Sequence, residues 1–180
     1  MQVSIITINY NSSKYTLKLI ESILKNIPNT IVYEIIVTDN ASMKDDYDYL
    51  ISNSPSDARI KIFRNEINTG FSGGNMDGFA KSSGEYVLFI NNDCVCLNDV
   101  LNPLIKFMKD NHRVGLLTGK VRGLDGKYTG THKLFPSLTR SLLGNAFARL
   151  ISKHNFISPK EEIIKPVKVQ VVTGAFMFFR

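Results

Sequence analysis

Strand-like and helix-like patterns alternate along the first two-thirds of this chain. Val3 to Asn9 is a mainly apolar run, the signature of a strand covered on both faces. Leu17, Ile20, Ile23 and Leu24 then recur at helical spacing. They predict a helix that Ser12 or Ser13 caps and that ends near Pro28. Glu34 to Thr38 and Ile60 to Phe63 read as the next two strands, and Ser72 to Ser82 as a helix. Tyr86 to Ile90 is a fourth strand, which breaks abruptly into Asn91-Asn92-Asp93. A helix starting at Asn98 or Asp99 carries Leu101, Leu104, Ile105 and Met108, and Val114 to Leu117 is a fifth strand. This alternation predicts an α/β domain, Rossmann-like, with a mostly parallel sheet and helices on both faces.

After Thr118 the pattern changes. Asp125-Gly126 marks a hairpin-type turn. Ser137 to Lys153 reads as an amphipathic helix and Val167 to Val172 as a strand, and the chain closes on Phe176-Met177-Phe178-Phe179-Arg180. That closing aromatic run predicts a strand whose further partners lie past position 180. No apolar run approaches the ~20 residues of a membrane-spanning helix. Met1 to Ile5 enters a strand without a basic leader, so no signal peptide is expected.

The chain has 180 residues, of which 43% are hydrophobic, enough for one domain with a real core. Its charge is uneven. Residues 1–119 carry 11 Lys/Arg against 13 Asp/Glu, and residues 120–180 carry 11 against 3. The basic last third suits an anionic acceptor, a membrane surface or a partner, or is a solvated basic face. No nucleic-acid-binding motif accompanies it. Cys94 and Cys96, one residue apart, have poor disulfide geometry and no ligand cluster beside them. They read as reduced thiols, which fits a cytoplasmic setting. His132 reads as a surface residue of a basic loop rather than a catalytic one.

Three polar clusters follow three predicted strands: Asn9-Tyr10-Asn11, Asp39-Asn40 and Asn91-Asn92-Asp93. If those strands are parallel, the clusters share the sheet edge where α/β proteins bind ligands. An ionised carboxylate is costly to bury alone, so Asp93 is expected at that edge, facing a cation, donors or water. Asn68 to Asn75 is Gly-rich and opens a helix. Such a loop either presents N–H groups to an anion or lets strand and helix approach closely. It lacks the Gly-Lys-Ser/Thr of a phosphate-binding P-loop and the spacing of a dinucleotide fingerprint.

Taken in order, Val3–Asn9, Val37-Thr38-Asp39-Asn40-Ala41-Ser42, Asn68–Asn75, Gly84–Asp93 and Thr173-Gly174-Ala175-Phe176-Met177 resemble the family 2 glycosyltransferases. The rhamnosyltransferase-like members are the nearest match. The resemblance implies a GT-A nucleotide-diphospho-sugar transferase fold, with 1–119 binding the donor and 120–180 beginning the acceptor side. It implies that Ile8, Tyr10 and Asp39 hold the nucleotide's base and ribose, Asp39 accepting a base N–H. Asn68 belongs to the matching Gly-rich segment, and Gly73, Gly74 and Asn75 would border the diphosphate and sugar. Asn91-Asn92-Asp93 matches the Asp-x-Asp-type motif, with Asp93 the principal ligand of Mg²⁺ or Mn²⁺.

The implied reaction moves a sugar from a nucleotide-diphospho-sugar donor to a hydroxyl, with inversion. The acceptor is a saccharide or lipid-linked saccharide, in cell-surface polysaccharide synthesis. The expected location is cytoplasmic, peripheral to the inner face of the plasma membrane through the basic last third. The general base of this family lies in a segment that follows Met177 and is expected beyond Arg180. The alternative is a nucleotide-sugar-binding module without turnover. A sugar-phosphate nucleotidyltransferase is disfavoured, because Asn9-Tyr10-Asn11-Ser12 stands where that group has a Gly-rich, Arg-containing signature.

Overall fold

A computed structural model describes residues 1–133 and 162–180. The elements run β1 (Val3–Asn9), α1 (Ser13–Asn26), β2 (Tyr33–Asp39), α2 (Lys44–Asn53), β3 (Ile60–Arg64), α3 (Gly70–Phe79), β4 (Tyr86–Ile90), α4 (Leu101–Asp110), β5 (Leu116–Leu117), β6 (His132–Lys133), β7 (Val171–Val172) and β8 (Phe176–Phe179). Six strands form one sheet in the order β3-β2-β1-β4-β8-β5. β1 to β4 are mutually parallel, and β8 runs antiparallel between β4 and β5. The expected alternation and mostly parallel sheet are therefore realised. The predicted helix over 137–153 lies outside the described residues.

Side-chain alternation sorts the two faces of the sheet. Ile6, Ile36 and Val87 form a buried cluster with Phe63 and Phe89 packed on it. α3 lies on that face. A Cβ at its Gly78 would stand 2.6 Å from Ile6 Cγ2 and 2.8 Å from Thr38 Oγ1, so only a glycine lets the helix approach this closely. α1 covers the other face, where Asn9 meets Thr16. Its buried stripe is Leu17, Leu19, Ile20 and Ile23, close to the sequence pattern.

Three features differ from the sequence reading. α2 was not predicted, because its pattern is polar almost all round and only Leu50 is buried. Neither Ser12 nor Ser13 caps α1 through its own side chain. Asp46, from α2, accepts from the Ser13 N–H at 3.1 Å and from the Ser13 hydroxyl at 2.8 Å. The closing aromatic run, finally, has neighbours on both sides. β8 inserts between β4 and β5, with Tyr86 stacked on Phe178 at 5.4 Å and Phe89 edge-on to Phe179 at 5.7 Å.

The chain divides into two compact units, Met1–Leu117 with Gly174–Arg180, and Thr118–Thr173. Within the second, β6 pairs antiparallel with β7. The Asp125-Gly126 turn closes a bridge between Arg122 and Tyr128, with Gly126 at a φ of 74°. His132 is buried at 2% exposure in the β6–β7 ladder, not at the surface as expected, since pairing with β7 covers it. Among the described residues no helix is long and apolar enough to cross a membrane.

Candidate functional site

β1, β2 and β4 are parallel, so their carboxyl ends and the three polar clusters share one edge. A cleft of about 340 Å³ opens there, within the range of small-molecule sites. Its walls come from Ile8, Tyr10 and Ser12 at the end of β1, and from Asn40 after β2. The Gly-rich segment adds Asn68, Gly70, Phe71 and Asn75, and the end of β4 adds Ile90, Asn91, Asn92 and Asp93. Asp93 is the one carboxylate in this lining. It is exposed, and among the described residues no hydrogen bond or ion pair engages it.

The turn bearing Asp93 is pinned on three sides. Asn91 N–H donates to the Ala175 carbonyl of the segment entering β8 at 3.0 Å, and Cys94 N–H to the Asn91 carbonyl at 3.1 Å. The Asn92 amide nitrogen donates into the start of α1, to Ser12 Oγ at 2.6 Å and Thr16 Oγ1 at 3.0 Å. Burial pushes the nearby Cys94 and Cys96 thiols up to about 11, the charge of Asp93 adding to it at Cys94. Both therefore stay protonated and unreactive at neutral pH.

Asn40, only 2% exposed, holds the Gly-rich segment against β2. Its Nδ2 donates to Asn68 Oδ1 and the Gly70 carbonyl, and its Oδ1 accepts from Thr69 N–H, Thr69 Oγ1 and Asn65 Nδ2, all at 2.8 to 3.1 Å. Asp77, one turn further along α3, accepts from Asn65 and Thr69 as well. The segment opens α3 through Gly70 at a φ of 73°, a conformation that favours glycine.

Seven of the ten expected site residues line the cleft: Ile8, Tyr10, Asn68, Asn75, Asn91, Asn92 and Asp93. Three do not. Asp39 is fully buried, and both its oxygens are engaged inside the protein. Oδ1 accepts from Asn9 Nδ2 at 2.9 Å, and Oδ2 accepts from the Ser42 N–H at 3.3 Å and faces Arg64 Nε at 3.4 Å. Gly73 and Gly74 lie beneath the wall. A Cβ at Gly74 would meet Ile8 Cδ1 at 3.1 Å, and one at Gly73 would meet Thr69 Cβ at 2.5 Å. The missing side chain of Gly74 lets α3 approach Ile8 and Asn40 closely, and that of Gly73 leaves room for Thr69 at the start of the helix.

Sequence reasoning assigned no site role to Phe71, Ser12, the buried Thr16 or the half-buried Asp46, and it named Asn9 only as part of a polar cluster. Phe71 carries a visible signal, a large apolar residue inside a polar Gly-rich loop, and it is 53% exposed. Asp46 carries none, because its importance depends on α2 meeting the start of α1.

A mostly parallel sheet with a cleft at its carboxyl edge and one carboxylate after β4 defines an α/β domain of the class that binds ligands at the strand ends. The glycosyl transferase family 2 model matches residues 4–180, and the chain belongs to that family. It is 30% identical over 151 residues to an uncharacterized glycosyltransferase of Rickettsia bellii, covering 83% of this chain and 21% of that protein. It is 29% identical over 129 residues to the poly(ribitol-phosphate) β-N-acetylglucosaminyltransferase TarS of Staphylococcus aureus, covering 71% of this chain and 22% of TarS. The crystal structure of S. aureus TarS 1–349 in complex with UDP-GlcNAc superposes with a TM-score of 0.61 at 26% identity, over 76% of this chain and 37% of that one. The expected GT-A architecture is thus realised. The chain spans about a fifth of the length of these two curated relatives.

Proposed function

We propose that this chain forms the donor site of a glycosyltransferase that moves a sugar from a UDP-sugar to a saccharide hydroxyl. The displacement is in line and inverts the anomeric centre. The carrying observation is the cleft at the carboxyl ends of β1 and β4, walled by the Gly-rich segment and holding one carboxylate, Asp93. UDP as the nucleotude carrier is supported by TarS, whose crystals hold UDP-GlcNAc. A polymeric, phosphate-bearing acceptor is supported by the same relative, a poly(ribitol-phosphate) β-N-acetylglucosaminyltransferase, and the setting proposed is cell-surface polysaccharide synthesis. The rhamnosyltransferase-like subgroup has no comparable support.

In this reading Ile8, Tyr10 and Phe71 supply the apolar wall for the base, and Asn68 and Asn75 the polar groups around the diphosphate and sugar. Among the described residues no group of three or more His, Cys, Asp or Glu gathers to hold a metal. One carboxylate with an amide oxygen still suits a hard divalent cation, because such ions take one or two carboxylates and complete their shell with phosphate oxygens and water. Asp93 and Asn91 are the residues that would hold Mg²⁺ or Mn²⁺. Bound there, the ion offsets charge on the leaving nucleoside diphosphate. The base that activates the acceptor is assigned to none of the described residues. The basic residues after position 119 are proposed to face an anionic, lipid-linked acceptor at the cytoplasmic membrane surface.

Thermal-shift titration with UDP, dTDP and GDP, each with and without Mn²⁺, tests the donor site. UDP with Mn²⁺ is expected to raise the melting temperature most. A folded protein that no nucleotide stabilises would overturn the proposal. Release of UDP from a UDP-sugar in the presence of a saccharide acceptor separates a transferase from a module that only binds.

A further inference from the structure

A polarised, branched network of hydrogen bonds crosses the buried side of the cleft, with Ser42 Oγ beside Asn9 Nδ2 at 3.1 Å and Ser12 Oγ taking the Asn92 amide at 2.6 Å as its branches. Asn9 Nδ2 donates to Asp39 Oδ1 and to Asp46 Oδ2, both at 2.9 Å. This fixes the orientation of the amide, because the flipped form would set its carbonyl oxygen against two carboxylates. The Asn9 carbonyl therefore faces Thr16, whose hydroxyl donates to it at 2.7 Å. With its proton committed, Thr16 Oγ1 can only accept, and it takes the Asn92 amide at 3.0 Å. Asn9, Thr16 and Asp39 are all fully buried, where water does not compete for these bonds.

The run joins β2, β1, α1 and the turn after β4. One end is the Asp39 carboxylate, and the other is the residue preceding Asp93. We propose that Asn9 and Thr16 are positioning residues of the donor site. Together with Ser12, whose Oγ accepts from the same amide at 2.6 Å, they hold Asn92, and so the Asn91–Asp93 turn, in the geometry that receives the donor's diphosphate and its cation. This rests on the donor-site reading above. The sequence between Asn91 and Asp93 makes the assignment specific. The middle side chain turns inward to Ser12 and Thr16, while Asn91 and Asp93 line the cleft with no side-chain hydrogen bond among the described residues.

The experiment compares Thr16→Ser with Thr16→Ala. Both lose the same buried methyl group, and they differ only in the hydroxyl. UDP affinity is measured by titration calorimetry in Mn²⁺ and in EDTA. Thr16→Ser is expected to keep the wild-type affinity and metal dependence. Thr16→Ala is expected to bind UDP about ten-fold more weakly in Mn²⁺, as the loss of one buried hydrogen bond allows, with little change in EDTA. Should Thr16→Ala fail to fold, Thr16→Val fills the volume without the hydroxyl and carries the same expectation. Equal losses in the Ser and Ala variants, or equal losses with and without Mn²⁺, would reduce Thr16 to a packing residue and overturn the proposal. Wild-type protein that ignores UDP altogether would instead remove the donor-site reading on which it stands.

Discussion

At the end of β1 the Asn9 amide lies between the Asp39 and Asp46 carboxylates and screens them from each other. Burial by itself would raise the Asp46 carboxyl, but hydrogen bonds from Asn9 and Ser13 outweigh it and hold it below the usual range. Asn9→Asp would bring a third carboxylate between the buried Asp39 and the half-buried Asp46. It is expected to cost about 3–5 kcal/mol, read as a fall in the urea midpoint at pH 7. Asp93 is the opposite case, exposed and with no hydrogen bond or ion pair among the described residues. Asp93→Ala is expected to leave the urea midpoint within about 0.5 kcal/mol of wild type while removing the Mn²⁺-dependent part of UDP stabilisation. Retention of that part would move the cation elsewhere. Asp93 was legible in the sequence because the Tyr86–Ile90 run ends so sharply before it. The duty of Asn9 was not, because an amide reads alike whether it faces solvent or two carboxylates.

Elements were legible in proportion to how much apolar surface they bury. β1 and β4 appear with the bounds the pattern predicts, and α1 shows its stripe. α2 escaped notice because Asp46 and Leu50 fasten it, rather than a broad apolar face. β8 was visible only as an aromatic run, and its place between β4 and β5 required the far end of the chain to return. α3 depends on a close approach that glycine alone permits. Gly78→Ala gains about 1 kcal/mol of helix propensity, but its Cβ meets the branched Ile6 side chain at 2.6 Å. The net expectation is a loss of about 1–3 kcal/mol from overpacking, seen in thermal unfolding. Weaker UDP binding should follow, because α3 carries the Gly-rich wall. A neutral or stabilised variant would show that α3 shifts away from the sheet at no cost.

For the whole molecule, the sheet's amino edge holds a second polar cluster, remote from the cleft. Glu34 is fully buried in β2 and accepts from Ser4 Oγ, the Ser83 N–H and hydroxyl, and Lys61 Nζ. Burial alone would raise its carboxyl, yet the Lys61, Ser4 and Ser83 bonds prevail and hold it at about 2, against 4.5 in the unfolded chain. A depressed folded value stabilises above the unfolded one. This contribution, about 3 kcal/mol, is complete above pH 4.5 and is lost as the pH falls toward 2. Stability measured in urea is expected to decline across that window, and Glu34→Gln should flatten the decline. The sequence by itself determined the class of fold, the edge where a ligand would bind and the carboxylate that waits there. Local apolar spacing forces strands and helices, and parallel strands align their polar ends whatever else varies. Tertiary structure alone decided that Asp39 is engaged by Asn9 and Arg64, that Gly74 lies against Ile8 and Asn40, and that Asn92 turns inward to Ser12 and Thr16. The Asp39 and Asn92 outcomes depend on which groups meet across 25 to 80 positions of chain, and no local pattern encodes such a meeting.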